Sequence, residues 1–132
     1  MTTTTAPPFT LDVRALAGAN QDFRRVLVTG AHSQVVLMSL RVGEDIGAEV
    51  HPDTDQTLIV VAGQGRAVVA AETSSIESGS LVFVPAGTRH DIVNEGTTEL
   101  RLYTIYAPAH HAPGTVHHTK ADAEAAERAE GR

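Results

Sequence analysis

Between residues 23 and 106, short runs of aliphatic and β-branched side chains alternate with Gly, Asp, Asn and Pro. Runs of this length predict strands over 23–29, 34–42, 48–51, 56–62, 65–70, 81–84, 91–94 and 100–106, with turn signals at Thr29-Gly30, Gly63-Gln64-Gly65 and Asn94-Glu95-Gly96. Seven or eight short strands with little helix between them predict an antiparallel sandwich or barrel. Ahead of them, residues 1–8 are polar and Pro-containing and read as a loose lead-in, and the apolar spacing over 11–19 allows a short helix or turn. Behind them, Ala107-Pro-Ala-His-His-Ala-Pro-Gly114 reads as an irregular connector to Thr119. The spacing of Thr119 and Asp122 fits a capped helix from Lys120 to about Glu130. That helix is rich in Ala and Glu with almost no large apolar residue, so it is expected to lie exposed or to fray. The chain thus divides into a lead-in with a short helix (1–22), a β-barrel (23–106) and a C-terminal connector and helix (107–132).

A chain of 132 residues, 42% hydrophobic and 20% charged, suits one globular domain. The core has to come from Val, Leu, Ile and Ala, since aromatic residues make up 4% and Trp is absent. A formal net charge of −6 with no clustered Arg/Lys stripe argues against nucleic acid as a partner. Without cysteine there are no disulfides and no thiolate metal sites, which fits a reducing compartment and makes the cytoplasm the expected location. The first residues lack the pattern of a secretory signal, and no stretch approaches the roughly 20 apolar residues that span a bilayer, so no membrane association is expected.

The chemistry concentrates in two segments. On an extended chain Glu49 and His51 project to one side while Val50 points to the other. Pro52-Asp53-Thr54-Asp55 should then bend the chain, with Asp53 and Asp55 as loop formers, so that Gln56 begins a return strand beside His51. In the second segment, Gly79 and the Pro85-Ala86-Gly87 turn bracket a buried strand, and the turn delivers His90 to the start of the next one.

These residues resemble the cupin superfamily. Gly43, Glu49, His51, Gln56 and Gly63 fall at the intervals of its first motif, and Gly79, Pro85, Gly87, His90 and Asn94 match its second in full. The resemblance spans residues 43–94 and implies an all-β, jelly-roll-like antiparallel cupin barrel holding one divalent metal among Glu49, His51, Gln56 and His90. Two departures stand out: Glu49 occupies the slot of the usual first His, and Gln56 that of the usual Glu. The carboxylate has moved to the front of the motif.

His51, His90 and Glu49 have the composition of a 2-His-1-carboxylate triad, which on Fe(II) leaves positions open for substrate and dioxygen. The same donors suit Mn, Zn, Ni or Cu. Gln56 has two roles open to it, as a ligand or as a hydrogen-bond partner of the ligands. One carboxylate against a dication leaves a formal charge near +1, which favours a carboxylate, enolate or diol in a small-molecule substrate. The resemblance implies either an oxygenase or a metal-assisted isomerase, epimerase or decarboxylase, with a non-catalytic small-molecule-binding module as the other class. It also implies a homodimer, and strand 23–29 is the expected joining edge because its Val and Leu residues would otherwise be exposed.

Several other residues draw the eye. His110-His111 and His117-His118 are expected to be exposed loop imidazoles, Asn94 a turn residue, and Arg89 and Arg101 solvated surface positions. Phe83, Tyr103, Met38 and Leu40 sit on alternating strands whose inward parity the sequence leaves open.

Overall fold

The computed structural model describes residues 6–130; part of the lead-in, residues 1–5, lies outside them. Helix α1 (Val13–Ala19) is followed by strands β1 (Arg24–Thr29), β2 (Gln34–Leu40), β3 (Asp55–Ala62), β4 (Gln64–Val69), β5 (Glu72–Glu77), β6 (Leu81–Val84), β7 (His90–Asn94), β8 (Leu100–Ala107) and β9 (Val116–His117), and then by helix α2 (Lys120–Ala129). Two antiparallel sheets face each other: a six-stranded one in the order β6-β3-β8-β2-β1-β9 and a three-stranded one in the order β5-β4-β7. The expected all-β antiparallel cupin architecture with a short C-terminal helix is therefore present. Among the described residues, no helix is long and apolar enough to cross a membrane.

Three local expectations change. Residues 48–51 form no strand. They make one isolated bridge, Glu49 to His90, because positive-φ Gly47 precedes them and Pro52 follows. Strand β5 went unforeseen because Glu-Thr-Ser-Ser-Ile-Glu carries one large apolar residue, Ile76, and is otherwise exposed; ladder pairing with β4 makes it a strand. The start of β1 is not a free edge. β9 pairs with Arg24 and Arg25, and the Val26 amide donates to the Thr115 carbonyl at 2.8 Å. The first half of the expected joining edge is thus covered from within the chain.

Both helices begin at the caps their sequences supply. Asp12 accepts from the Ala15 amide at 3.1 Å and Thr119 from the Asp122 amide at 3.0 Å. Helix α1 packs on the outer face of the large sheet, where the Arg101 guanidinium donates to the Gly18 carbonyl at its end. Arg101 is half-buried rather than solvated, since this bond and the Glu99 carboxylate at 3.1 Å draw it in, whereas Arg89 is exposed as expected. Helix α2 is mostly exposed and buries only Ala123.

The inward-facing positions are split along the strands. Leu40 lies opposite Leu100, Met38 and Val60 opposite Leu102, and with Val36, Leu58, Val82 and Ile92 they form an apolar core toward one end of the barrel, while Val84 lies opposite Gln56. Continuing along the same strands with the same parity, the interior turns polar at Thr104, Gln34, Gln56 and Tyr106, all fully buried. Met38 and Leu40 thus belong to the core, while Phe83 faces outward and is exposed and Tyr103 faces outward half-buried. The apolar end carries the folding energy, about 25 cal/mol per Å² removed from water. The polar end positions the chemistry.

Candidate metal centre

Glu49 and His90 exchange both backbone hydrogen bonds, at 2.9 Å each way, which sets the two residues directly opposite each other with side chains on one face. His51, two residues on, projects to the same face, while Val50 between them is 47% exposed. The Gly87 amide donates to the His51 carbonyl at 2.8 Å, so the Pro85–Gly87 turn fastens both segments to each other. Asp55 secures that turn by accepting from the Ala86 amide at 2.9 Å, a loop role for the carboxylate as expected. Asn94 likewise bonds only backbone: its amide donates to the Leu40 and Thr98 carbonyls and its oxygen accepts from Gly96.

The outcome is convergence. Glu49, His51 and His90 each present a ligand atom within 4.8 Å of the others, and the two imidazole rings lie 5.1 Å apart. His51 and His90 are buried, at 6% and 1% exposure. His90 Nδ1 lies 3.0 Å from the Thr88 carbonyl, an acceptor only, so Nδ1 carries the proton and Nε2 keeps its lone pair for a metal. His51 Nε2 and His90 Nε2 are both buried without a hydrogen-bond partner among the described residues. The Glu49 carboxylate comes within 3.0 Å of His51 Nε2.

Two buried orphan nitrogens beside a carboxylate are costly in a protein interior unless something binds them. A divalent cation fits this group. Burial would raise the Glu49 pKa, but the neighbouring His51, Arg24 and His90 outweigh it and hold the carboxyl below its usual value, which keeps it ionised as a ligand must be.

Gln56 sits on β3 opposite Tyr106, 1% exposed. Its amide donates to Thr104 Oγ1 at 3.0 Å, while its Oε1 is buried without a partner.

The residues that sequence reasoning missed come from the connector after β8. His110 and His111 are half-buried rather than exposed: the His110 ring packs 4.0 Å from that of His51, and both lie against Tyr106, at 5.5 and 5.3 Å. The physical reason is Gln34. Its side-chain oxygen accepts from the His110 and His111 amides at 3.2 and 3.0 Å, and its amide donates to the His111 carbonyl at 2.7 Å. A buried glutamine at an inward strand position clamps the connector over the barrel end, and only its parity hinted at this. Of the other pair, His117 is half-buried against Arg24 and His118 is exposed beside Asp22, at 2.7 Å.

Burial, helped by the charges of Arg24 and the neighbouring histidines, pushes the His111 pKa down to about 2 from its ordinary 6.5. The unfolded chain takes up a proton here below about 6.5 and the folded chain does not, so the stability of the metal-free protein should fall as pH drops from 6.5 toward 2. Urea midpoints compared at pH 7.5, 6 and 5 should fall less steeply in His111→Gln than in the parent chain. Parallel falls in the two proteins would remove His111 as a cause.

Such a barrel, with a histidine–histidine–carboxylate group at its polar end, defines a small cupin with a candidate metal site. The chain belongs to the cupin family: the cupin domain matches it over residues 36–106. It is 48% identical to the uncharacterized protein YrkC of Bacillus subtilis over 91% of this chain and 68% of that one. With the uncharacterized protein L612 of Acanthamoeba polyphaga mimivirus it shares 40% identity, over 82% of this chain and 70% of that one. The crystal structure of BH2720 from Bacillus halodurans superimposes with a TM-score of 0.89 at 43% identity, covering 90% of this chain and 95% of that one.

Proposed function

We propose that this cupin is a mononuclear metal-dependent enzyme, an oxygenase acting on a small oxygen-rich substrate. The observation that carries this reading is the group itself: two imidazole nitrogens and one carboxylate gathered within 4.8 Å beside a cleft that Glu49, His51 and His110 help to line. Bound to such a set, Fe(II) supplies open coordination positions for substrate and dioxygen. His90, fixed by Thr88, and His51, hemmed in by the rings of Tyr106 and His110, would hold the ion in one orientation. Gln56 is the neutral fourth donor in this proposal, its amide nitrogen engaged by Thr104 and its oxygen left over. Mn, Zn, Ni and Cu suit the same donors, so the metal has to be measured.

The test is to strip the protein, load it with Fe(II) and follow dioxygen uptake with catechols, flavonols and diketones. Substrate-dependent uptake that disappears on removing the iron is expected. Turnover of a hydroxycarbonyl under argon would overturn the oxygenase reading in favour of Lewis-acid chemistry at the same residues.

A further inference from the structure

A guanidinium buried in a β-barrel needs an anion, and the one at Arg24 is poorly supplied. Arg24 lies inside β1 with its side chain 3% exposed, and its Nε has no hydrogen-bond partner among the described residues. Its Nη1 lies 3.3 Å from His117 Nδ1, a neutral acceptor, and 4.0 Å from Glu127 Oε1, beyond hydrogen-bond range. The ring of Phe23 lies 5.3 Å from the guanidinium carbon. Desolvating a charge is costly, and a half-exposed carboxylate at that distance recovers only a small part of the cost.

This guanidinium borders a cavity of about 70 Å³, walled further by His110, His111, His117 and Glu127. His110 and Glu127 also line the cleft that holds Glu49 and His51, so the two spaces share a wall. Arg24 is near enough to act electrostatically on Glu49. Glu127 belongs to α2, which meets the barrel through buried Ala123, an ion pair between Lys120 and Asp45, and the long contact to Arg24. Glu130 of the segment just after α2 also lines the cavity. Both carboxylates therefore reach the cavity from the C-terminal segment and not from the strands of the barrel.

We infer that Arg24 is the binding residue for a carboxylate group of the ligand, and that Glu127 occupies its place until that ligand enters. The inference rests on the proposed metal site in one respect, since it makes the substrate a small anion spanning the metal group and Arg24. With a dication held by Glu49, the charges of metal, Arg24, Glu49, Glu127 and Glu130 sum to about 0, and to about +1 once Glu127 is displaced, which favours an anionic carboxylate group over a neutral one. A planar guanidinium suits a carboxylate in two-pronged pairing, where lysine would offer only a point charge.

Malonate is the probe, titrated by NMR into full-length protein, first metal-free and then Zn-loaded, with metal content measured for every variant. Metal-free protein should bind malonate weakly. Glu127→Gln should tighten that binding by about 3- to 5-fold, because it removes the competing carboxylate. Arg24→Gln should weaken it by about 10-fold or more in the metal-free protein. Unaltered malonate affinity in Glu127→Gln overturns the inference, and this arm decides even if Arg24→Gln fails to fold. Malonate affinity retained in folded Arg24→Gln overturns it as well. Malonate binding that responds to both substitutions in a protein taking up no metal sustains the anion site and sinks only the metal reading.

Discussion

Replacing His90 with alanine is expected to abolish stoichiometric metal binding, with an affinity loss of at least about 100-fold, since removing only a supporting partner of a ligand typically costs 10–100-fold. His51→Ala should do the same. Both imidazoles point unpartnered Nε2 atoms into one gap, and neither loss can be made good by Glu49 alone. The fold should survive, because the apolar core lies at the other end of the barrel, around Leu40, Leu100 and Leu102. Elemental analysis of protein prepared without an affinity-metal column, paired with circular dichroism, gives the answer. Stoichiometric metal persisting in both variants would place the ion elsewhere.

The largest effect on stability is expected at a residue with no side chain. A Cβ built on Gly65 would stand 2.2 Å from the Val93 carbonyl oxygen and 3.0 Å from Leu100 Cδ2. Since Gly65 pairs with Asn94 in β7 and Ile76 in β5, a methyl group here has to force strands apart. Gly65→Ala should destabilise the protein by about 3 kcal/mol or more, the upper range for overpacking. Gly18→Ala is the control: nothing lies within 4 Å of its added Cβ, the residue is helical, and alanine there should be neutral or gain up to about 1 kcal/mol. Equal urea midpoints for the Gly65 variant and the parent chain would refute the close approach of β4 and β7.

What the sequence made legible follows from how locally each feature is encoded. Alternation and turn residues place most strands, and the spacings around residues 43–63 and 79–94 bring Glu49, His51 and His90 together, because a backbone bridge and one tight turn suffice to do so. Features built by partners far away in the chain were not legible. Strand β5 has no apolar rhythm and exists through its pairing with β4. Gln34 gives no sign on its own that it will hold residues 110 and 111, some 77 positions further on. Arg24 reads as one of two adjacent arginines on a strand, Arg24 and Arg25, and only the fold shows that the first is buried and the second exposed.

The change from hydrocarbon to hydrogen-bonding groups along the barrel interior has an implication for how such proteins diversify. Substitutions among Leu40, Val60, Leu100 and Leu102 touch solidity, whereas those among Gln34, Gln56 and Tyr106 touch the surroundings of the candidate metal site, and the two sets occupy different storeys of the same strands. A lineage can therefore exchange the contents of the upper storey for new chemistry while the lower one bears the weight.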